Sequence, residues 1–245
     1  MWTYKLTVMY DGSRYNGWQR QDNTDKTIQG ILENTVEKVT GIKAEVNGSG
    51  RTDAGVHAKG QTASVVLPFK LDEDKFRNDV NNFLPDDIRV KNVEKMKKSF
   101  HARLSAVGKR YEFFIDTGER PDVFFRKYCY HFPQKVDIGA LKEAAEILKG
   151  KHDFGGFSDQ REEKCTIRTI YDIIIEENGH MIRMEFYGTG FLYHMVRILT
   201  GTLLEVGTGT ISLDEIRSIL HTKDRKRAGF LAPASGLFLK EVYYE

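Results

Sequence analysis

The chain opens on an alternation, with Tyr4, Leu6, Val8 and Tyr10 on one side until Asp11-Gly12 interrupts it, which predicts a strand over 4–10. A helical period follows. Thr27 is placed to cap a helix in which Ile28, Ile31, Leu32, Val36 and Val39 share a face, and Gly41 ends it. Strands are expected near 43–47 and 61–67, separated by a glycine-rich stretch. Phe76, Val80, Phe83 and Leu84 form a second helical stripe stopped by Pro85, and Ile88, Val90 and Val93 read as a further strand.

The second half repeats this succession with different residues. A strand is expected at 109–115, then an aromatic, irregular segment at 121–136. Asp137 opens a helix with Ile138, Leu141, Ala145 and Leu148 inward, and Gly150 closes it. Strands around 167–176 and 181–187 are joined by Glu177-Asn178-Gly179, a hairpin signal. A helix is expected from Phe191, then a short one that Ser212 and Glu215 open as a capping box, then a strand at 237–243.

Each half therefore reads strand, helix, strand, strand, helix, strand, the βαββαβ order of ferredoxin-like units. The expected fold is α+β: two such units, 1–105 and 106–245, with antiparallel-rich sheets flanked by helices. A cleft between two sheet-bearing units is the default place for an active site.

Composition narrows the class. Hydrophobic residues make up 40% of 245, which excludes a disordered chain. The net charge of +2, from 37 basic and 35 acidic residues, is too small to announce a nucleic-acid partner, so local clusters carry that question. Lys95, Lys97 and Lys98 lead towards His101 and Arg103, and Lys223, Arg225, Lys226 and Arg227 are interrupted only by Asp224; such runs are more often solvated faces. Two cysteines, Cys129 and Cys165, build neither a disulfide framework nor a four-thiolate zinc site. Trp2-Thr3-Tyr4-Lys5 after Met1 lacks the apolar run of a signal peptide, and no stretch approaches a membrane span, so a cytoplasmic protein without membrane association is expected.

The most unusual segment is Gly48-Ser49-Gly50-Arg51-Thr52-Asp53-Ala54-Gly55-Val56-His57. Its spacing matches neither a P-loop nor the dinucleotide fingerprint. Residue types alone favour a tight turn in which Asp53 accepts backbone hydrogen bonds. Tyr111, alternating with Phe113 and Ile115, reads as a core tyrosine. On the helix from Phe191, one face is broadly apolar, while Tyr193, His194, Arg197, Thr200 and Gly201 form the other; that side is either a solvent face or the lining of a polar cleft. Trp18, Arg20, Arg51 and the 223–227 cluster, each alone, read as surface groups, and His57, His101 and His194 form no metal spacing.

The decapeptide also resembles, nearly letter for letter, the signature around the catalytic aspartate of bacterial tRNA pseudouridine synthases of the A type. The resemblance extends through Tyr10-Asp11-Gly12, Gly17-Trp18-Gln19-Arg20-Gln21, Phe100-His101-Ala102-Arg103, Lys109-Arg110-Tyr111, Phe191 to Arg197, Lys223-Asp224-Arg225 and Ala232 to Leu237. Phe230-Leu231 departs from it, since relatives more often carry smaller or polar residues there. The resemblance implies an isomerase that needs no metal or cofactor. Asp53 would be the nucleophile or base, Arg197 would keep it ionised, and Tyr111 would stack on the target base. Trp18, Arg20, Arg51, His57 and Arg225 would meet the RNA. It further implies a homodimer acting on uridines 38, 39 and 40 in the anticodon arm of tRNA, each flipped from its stack.

Two other classes fit parts of the pattern. A non-catalytic RNA-binding protein of two ferredoxin-like units leaves Asp53 unexplained, because a carboxylate repels phosphate. A metal-free hydrolase using Asp53 would consume water and release a fragment.

Overall fold

A computed structural model describes residues 1–159 and 165–245. The chain forms two compact units, Met1–Val107 with Phe238–Glu245, and Gly108–Leu237. Residues 238–245, which the sequence pattern assigns to the second unit, thus lie in the first.

In the first unit, β1 (Trp2–Tyr10) buries Tyr4, Leu6, Val8 and Tyr10, the four positions of the alternation. The helix α1 (Ile28–Thr40) starts where Thr27 Oγ1 accepts from the Gly30 amide and stops at Gly41, whose φ is 71°. Then come β2 (Val46–Gly48), β3 (His57–Leu67), α2 (Glu73–Phe83) and β4 (Ile88–Met96). The strand order β4-β1-β3-β2 is antiparallel throughout and is that of a βαββαβ unit. Val90 and Val93 are both buried despite their odd spacing because the register slips there: Thr7 faces Asn92 but Val8 faces Val90. Phe83, expected in the apolar stripe, is exposed, and Lys38 Nζ lies 4.1 Å from its ring centroid.

The second unit begins with β5 (Ala106–Asp116), followed by the two-residue β6 (Tyr130–His131) inside the aromatic segment. Helix α3 (Ile138–Leu148), capped by Asp137, packs on β8 (Ile167–Asn178) once β7 (Gly150–Asp153), which the sequence did not announce, has added an edge. The hairpin from β8 to β9 (Met181–Gly188) turns at Gly179-His180, one residue beyond the Asn-Gly position, because Asn178 still pairs with Met181. Its sheet runs β5-β9-β8-β7, all antiparallel. Helices α4 (Met195–Gly207) and α5 (Leu213–Thr222) pack on α3, and Ser212 Oγ caps α5 by accepting from the Glu215 amide. The final strand β10 (Leu237–Tyr244) pairs in parallel with the start of β3, Phe238 facing His57. No helix among the described residues is long and apolar enough to cross a membrane.

Candidate active site

Asp53 stands in the loop between β2 and β3, half-buried, at the first position of a turn closed by the Val56 amide donating to its carbonyl at 3.2 Å. The residues around it are pinned from several directions. Thr52 is buried; its hydroxyl lies 2.8 Å from the Tyr10 hydroxyl, and its carbonyl accepts from the Trp18 amide at 3.0 Å. Burial pushes the Tyr10 phenol up to about 12 against the lowering effect of its hydrogen bonds with Thr52 and Gln61, so it stays protonated at neutral pH. Upstream, the buried Gln61 holds the loop twice, accepting from Ser49 Oγ at 2.7 Å and donating to the Gly50 carbonyl at 3.0 Å.

Trp18 and His57, expected at the RNA, lie inside this unit instead. The Trp18 ring lies flush against Gly48, where a Cβ atom would come within 2.5 Å of the indole. That contact explains the glycine and removes the ring from solvent, with 2% exposure. His57, 1% exposed, accepts from the Gly12 amide at Nδ1 and stacks on Phe238. The two basic residues are placed otherwise. Arg51 is exposed, its Nε donating to Gln19, and Arg20 is exposed while pairing with Glu33 of α1 at 3.1 Å. Gln29 links these pairs, accepting from Gln19 at 2.7 Å and donating to Glu33 at 3.0 Å.

In the second unit, Tyr111 on β5 is nearly buried, with its ring edge-on to Phe191 at 5.2 Å between centroids. The helix expected from Phe191 begins only at Met195, because His194 adopts a left-handed conformation with φ 64° and turns the chain into α4. Arg197 follows in the first turn. On the side of α4 read as either a solvent face or the lining of a polar cleft, residues 229–232 lie against Gly201. A Cβ on Gly201 would come within 1.9 Å of the Phe230 carbonyl oxygen, so a side chain there would keep the segment off the helix backbone. Gly229 donates to Thr202 Oγ1 at 2.9 Å, and Arg197 Nε donates to the Ala232 carbonyl at 2.7 Å. The bulky Phe230 is accommodated by Tyr130 and Phe132 from the aromatic segment.

Arg225 is half-buried. Its guanidinium donates to Asp159 Oδ1 at 2.8 Å and to the Gly229 carbonyl at 3.0 Å. Arg227 pairs with Glu215 through two hydrogen bonds, and Lys226 is exposed. Gln61 and Asp159 matter to this geometry, yet nothing in the sequence singles them out, because their partners are distant in the chain. Among the described residues, no group of three or more His, Cys, Asp or Glu side chains is arranged to hold a metal.

The profile of the tRNA pseudouridine synthase family matches residues 6–104 and 144–245. The tRNA pseudouridine synthase A of Acetivibrio thermocellus is 44% identical over 241 residues, 98% of both chains. That of Clostridium botulinum is 43% identical over the same span and shares, and tRNA pseudouridine synthase A 2 of Bacillus anthracis is 41% identical over 242 residues, 98% of this chain and 99% of that one. The chain belongs to the tRNA pseudouridine synthase family. Pseudouridine synthases are isomerases, and so is this chain.

Proposed function

We propose that this chain converts uridine to pseudouridine in the anticodon arm of tRNA, at uridines 38, 39 and 40, with Asp53 as its catalytic carboxylate. The observation that carries this reading is the held turn: Thr52 and Val56 on either side of Asp53 are buried, while Asp53 itself keeps part of its surface in solvent. The reaction cleaves the bond from N1 to C1′, turns the retained uracil and rejoins it through C5, so nothing is added or lost. Asp53 starts the cleavage, either by attacking as a nucleophile or by taking a proton. Arg197 keeps that carboxylate ionised, since a guanidinium beside it opposes the protonation that dehydration favours. Tyr111 packs against the base once it is flipped out of the stem. The chemistry needs no metal or cofactor.

Exposed Arg20 and Arg51 meet phosphate, as does Lys226 in the basic cluster. Arg225 serves the same cluster by shaping it through its bonds to Asp159 and Gly229. Buried Trp18 and His57 act at one remove, by holding the loop rather than touching RNA. The enzyme works in the cytoplasm as a homodimer.

The test is site-resolved pseudouridine mapping on an unmodified tRNA transcript, together with an assay for free uracil. Pseudouridine confined to the anticodon arm with no released base supports the reading. Released uracil indicates a hydrolase, and bound but unchanged tRNA indicates a binding protein.

A further inference from the structure

Asp159 lies between β7 and β8, far in sequence from the residues that carry the resemblance, yet its two carboxylate oxygens join two of their segments. Oδ2 lies 2.7 Å from His194 Nδ1, and Oδ1 accepts from Arg225 Nε at 2.8 Å. The backbone ties the same place: the hydroxyl of Ser158 donates to the Tyr193 carbonyl at 3.1 Å, and the Asp159 amide donates to it at 3.4 Å. His194 is one of two residues other than glycine with positive φ among those described. L side chains rarely adopt that conformation, and it persists where surrounding contacts over-determine it.

Two of the features that place Arg197 run back to this carboxylate. Arg197 sits one turn into α4, three residues after His194, so the orientation of the helix start sets its Cα. Its Nε is held by the Ala232 carbonyl, at the end of the 228–232 segment whose beginning Arg225 grips through the Ala228 and Gly229 carbonyls. We propose that Asp159 is a positioning residue for Arg197, fixing the head of α4 and the 228–232 segment together so that the guanidinium is presented in one orientation. This rests on the reading of Arg197 given above. The effect concerns geometry, and displacements of an ångström at a catalytic group cost rate more than binding.

Asp153 provides a matched control. It too is a carboxylate with three partners in the same unit, accepting from Gly155 N at 3.0 Å and Thr166 Oγ1 at 2.5 Å and pairing with Lys223 at 2.7 Å, and none of these partners lies on α4 or in residues 228–232. The experiment measures thermal melting, affinity for an unmodified tRNA transcript and single-turnover pseudouridine formation at saturating RNA for Asp159→Ala, Asp153→Ala, Arg197→Lys and the double variant Asp159→Ala/Arg197→Lys. The expected result is a loss of rate of about tenfold to a hundredfold for Asp159→Ala with affinity nearly unchanged, and full rate for Asp153→Ala at a similar loss of melting temperature. The double variant should be no slower than Arg197→Lys, because residues acting through one another are not additive. Equal rates for the Asp159 and Asp153 variants, or multiplying losses in the double variant, would overturn the proposal while leaving Arg197 catalytic. Full rate for Arg197→Lys and also for Arg197→Met, measured in the same series, would remove the catalytic reading of Arg197, and this inference with it.

Discussion

The hydroxyls of Tyr10 and Thr52 lie 2.8 Å apart in the interior of the first unit, one at the end of β1 and the other immediately before Asp53. Through this bond the first strand fixes the loop that carries the candidate catalytic group. Replacing Tyr10 by Phe leaves the Thr52 hydroxyl buried without that partner and should cost about 1–2 kcal/mol of stability. Single-turnover rate should fall several-fold while tRNA affinity stays, and urea unfolding combined with rate measurement checks both. A rate equal to wild type would detach the strand from the chemistry.

The contact between Trp18 and Gly48 yields a second prediction. Gly48→Ala places a methyl group where the indole already lies, and should destabilise by about 1–3 kcal/mol with loss of activity. Trp18→Phe makes room, so the double variant should be more stable than the sum of the two single losses implies. A double-mutant cycle by chemical denaturation measures this coupling. Simple additivity would mean that the ring and the glycine are independent.

The basic cluster divides by its contacts. Arg227 is engaged by Glu215 and Arg225 by Asp159, which leaves Lys226 as its most available cation. Lys226→Gln should weaken tRNA binding and lower the slope of log affinity against log salt by about one, with the rate at saturation intact. Arg225→Gln should instead lower melting temperature and rate. Affinity titrations at several salt concentrations decide between these roles.

Acid stability should depend on two carboxylates of the second unit. Burial by itself would raise Asp153 and Asp159, but hydrogen bonds from Lys223, Thr166 and the Gly155 amide in the first, and from His194 and Arg225 in the second, outweigh it and hold both below the ordinary value. A depressed folded pKa gives stability that is present above the unfolded pKa and lost as pH falls through the folded one. The urea midpoint should therefore drop as pH is lowered from about 5 towards about 3, and Asp153→Asn/Asp159→Asn should flatten that limb. Equal slopes in wild type and variant would contradict the assignment.

The sequence made legible what local chemistry decides. Thr27, Asp137 and Ser212 cap the helices they were expected to cap, and the alternation at 4–10 places four side chains in the core, because capping and period act over a few residues. Features set by distant partners stayed hidden. His194 delays α4 by four residues through contacts with Asp159, the register slip near Val90 depends on β1, and the burial of Trp18 depends on Gly48. The resemblance implied RNA contact for Trp18 and His57, yet both side chains are buried, where polarity and ring chemistry serve as support. The decapeptide was the exception, since its letters carried a specific resemblance rather than a propensity.

The central claim is the role of Asp53, and Asp53→Asn tests it most directly because the amide preserves shape without the anionic oxygen. Melting temperature, tRNA affinity and single-turnover pseudouridine formation should be measured on the same preparation. Melting should match wild type, affinity should hold or tighten as a negative charge leaves an RNA-facing site, and product should be undetectable. Substantial pseudouridine formation by this variant, or loss of product only because the chain no longer folds, would contradict the assignment of Asp53 as the catalytic residue.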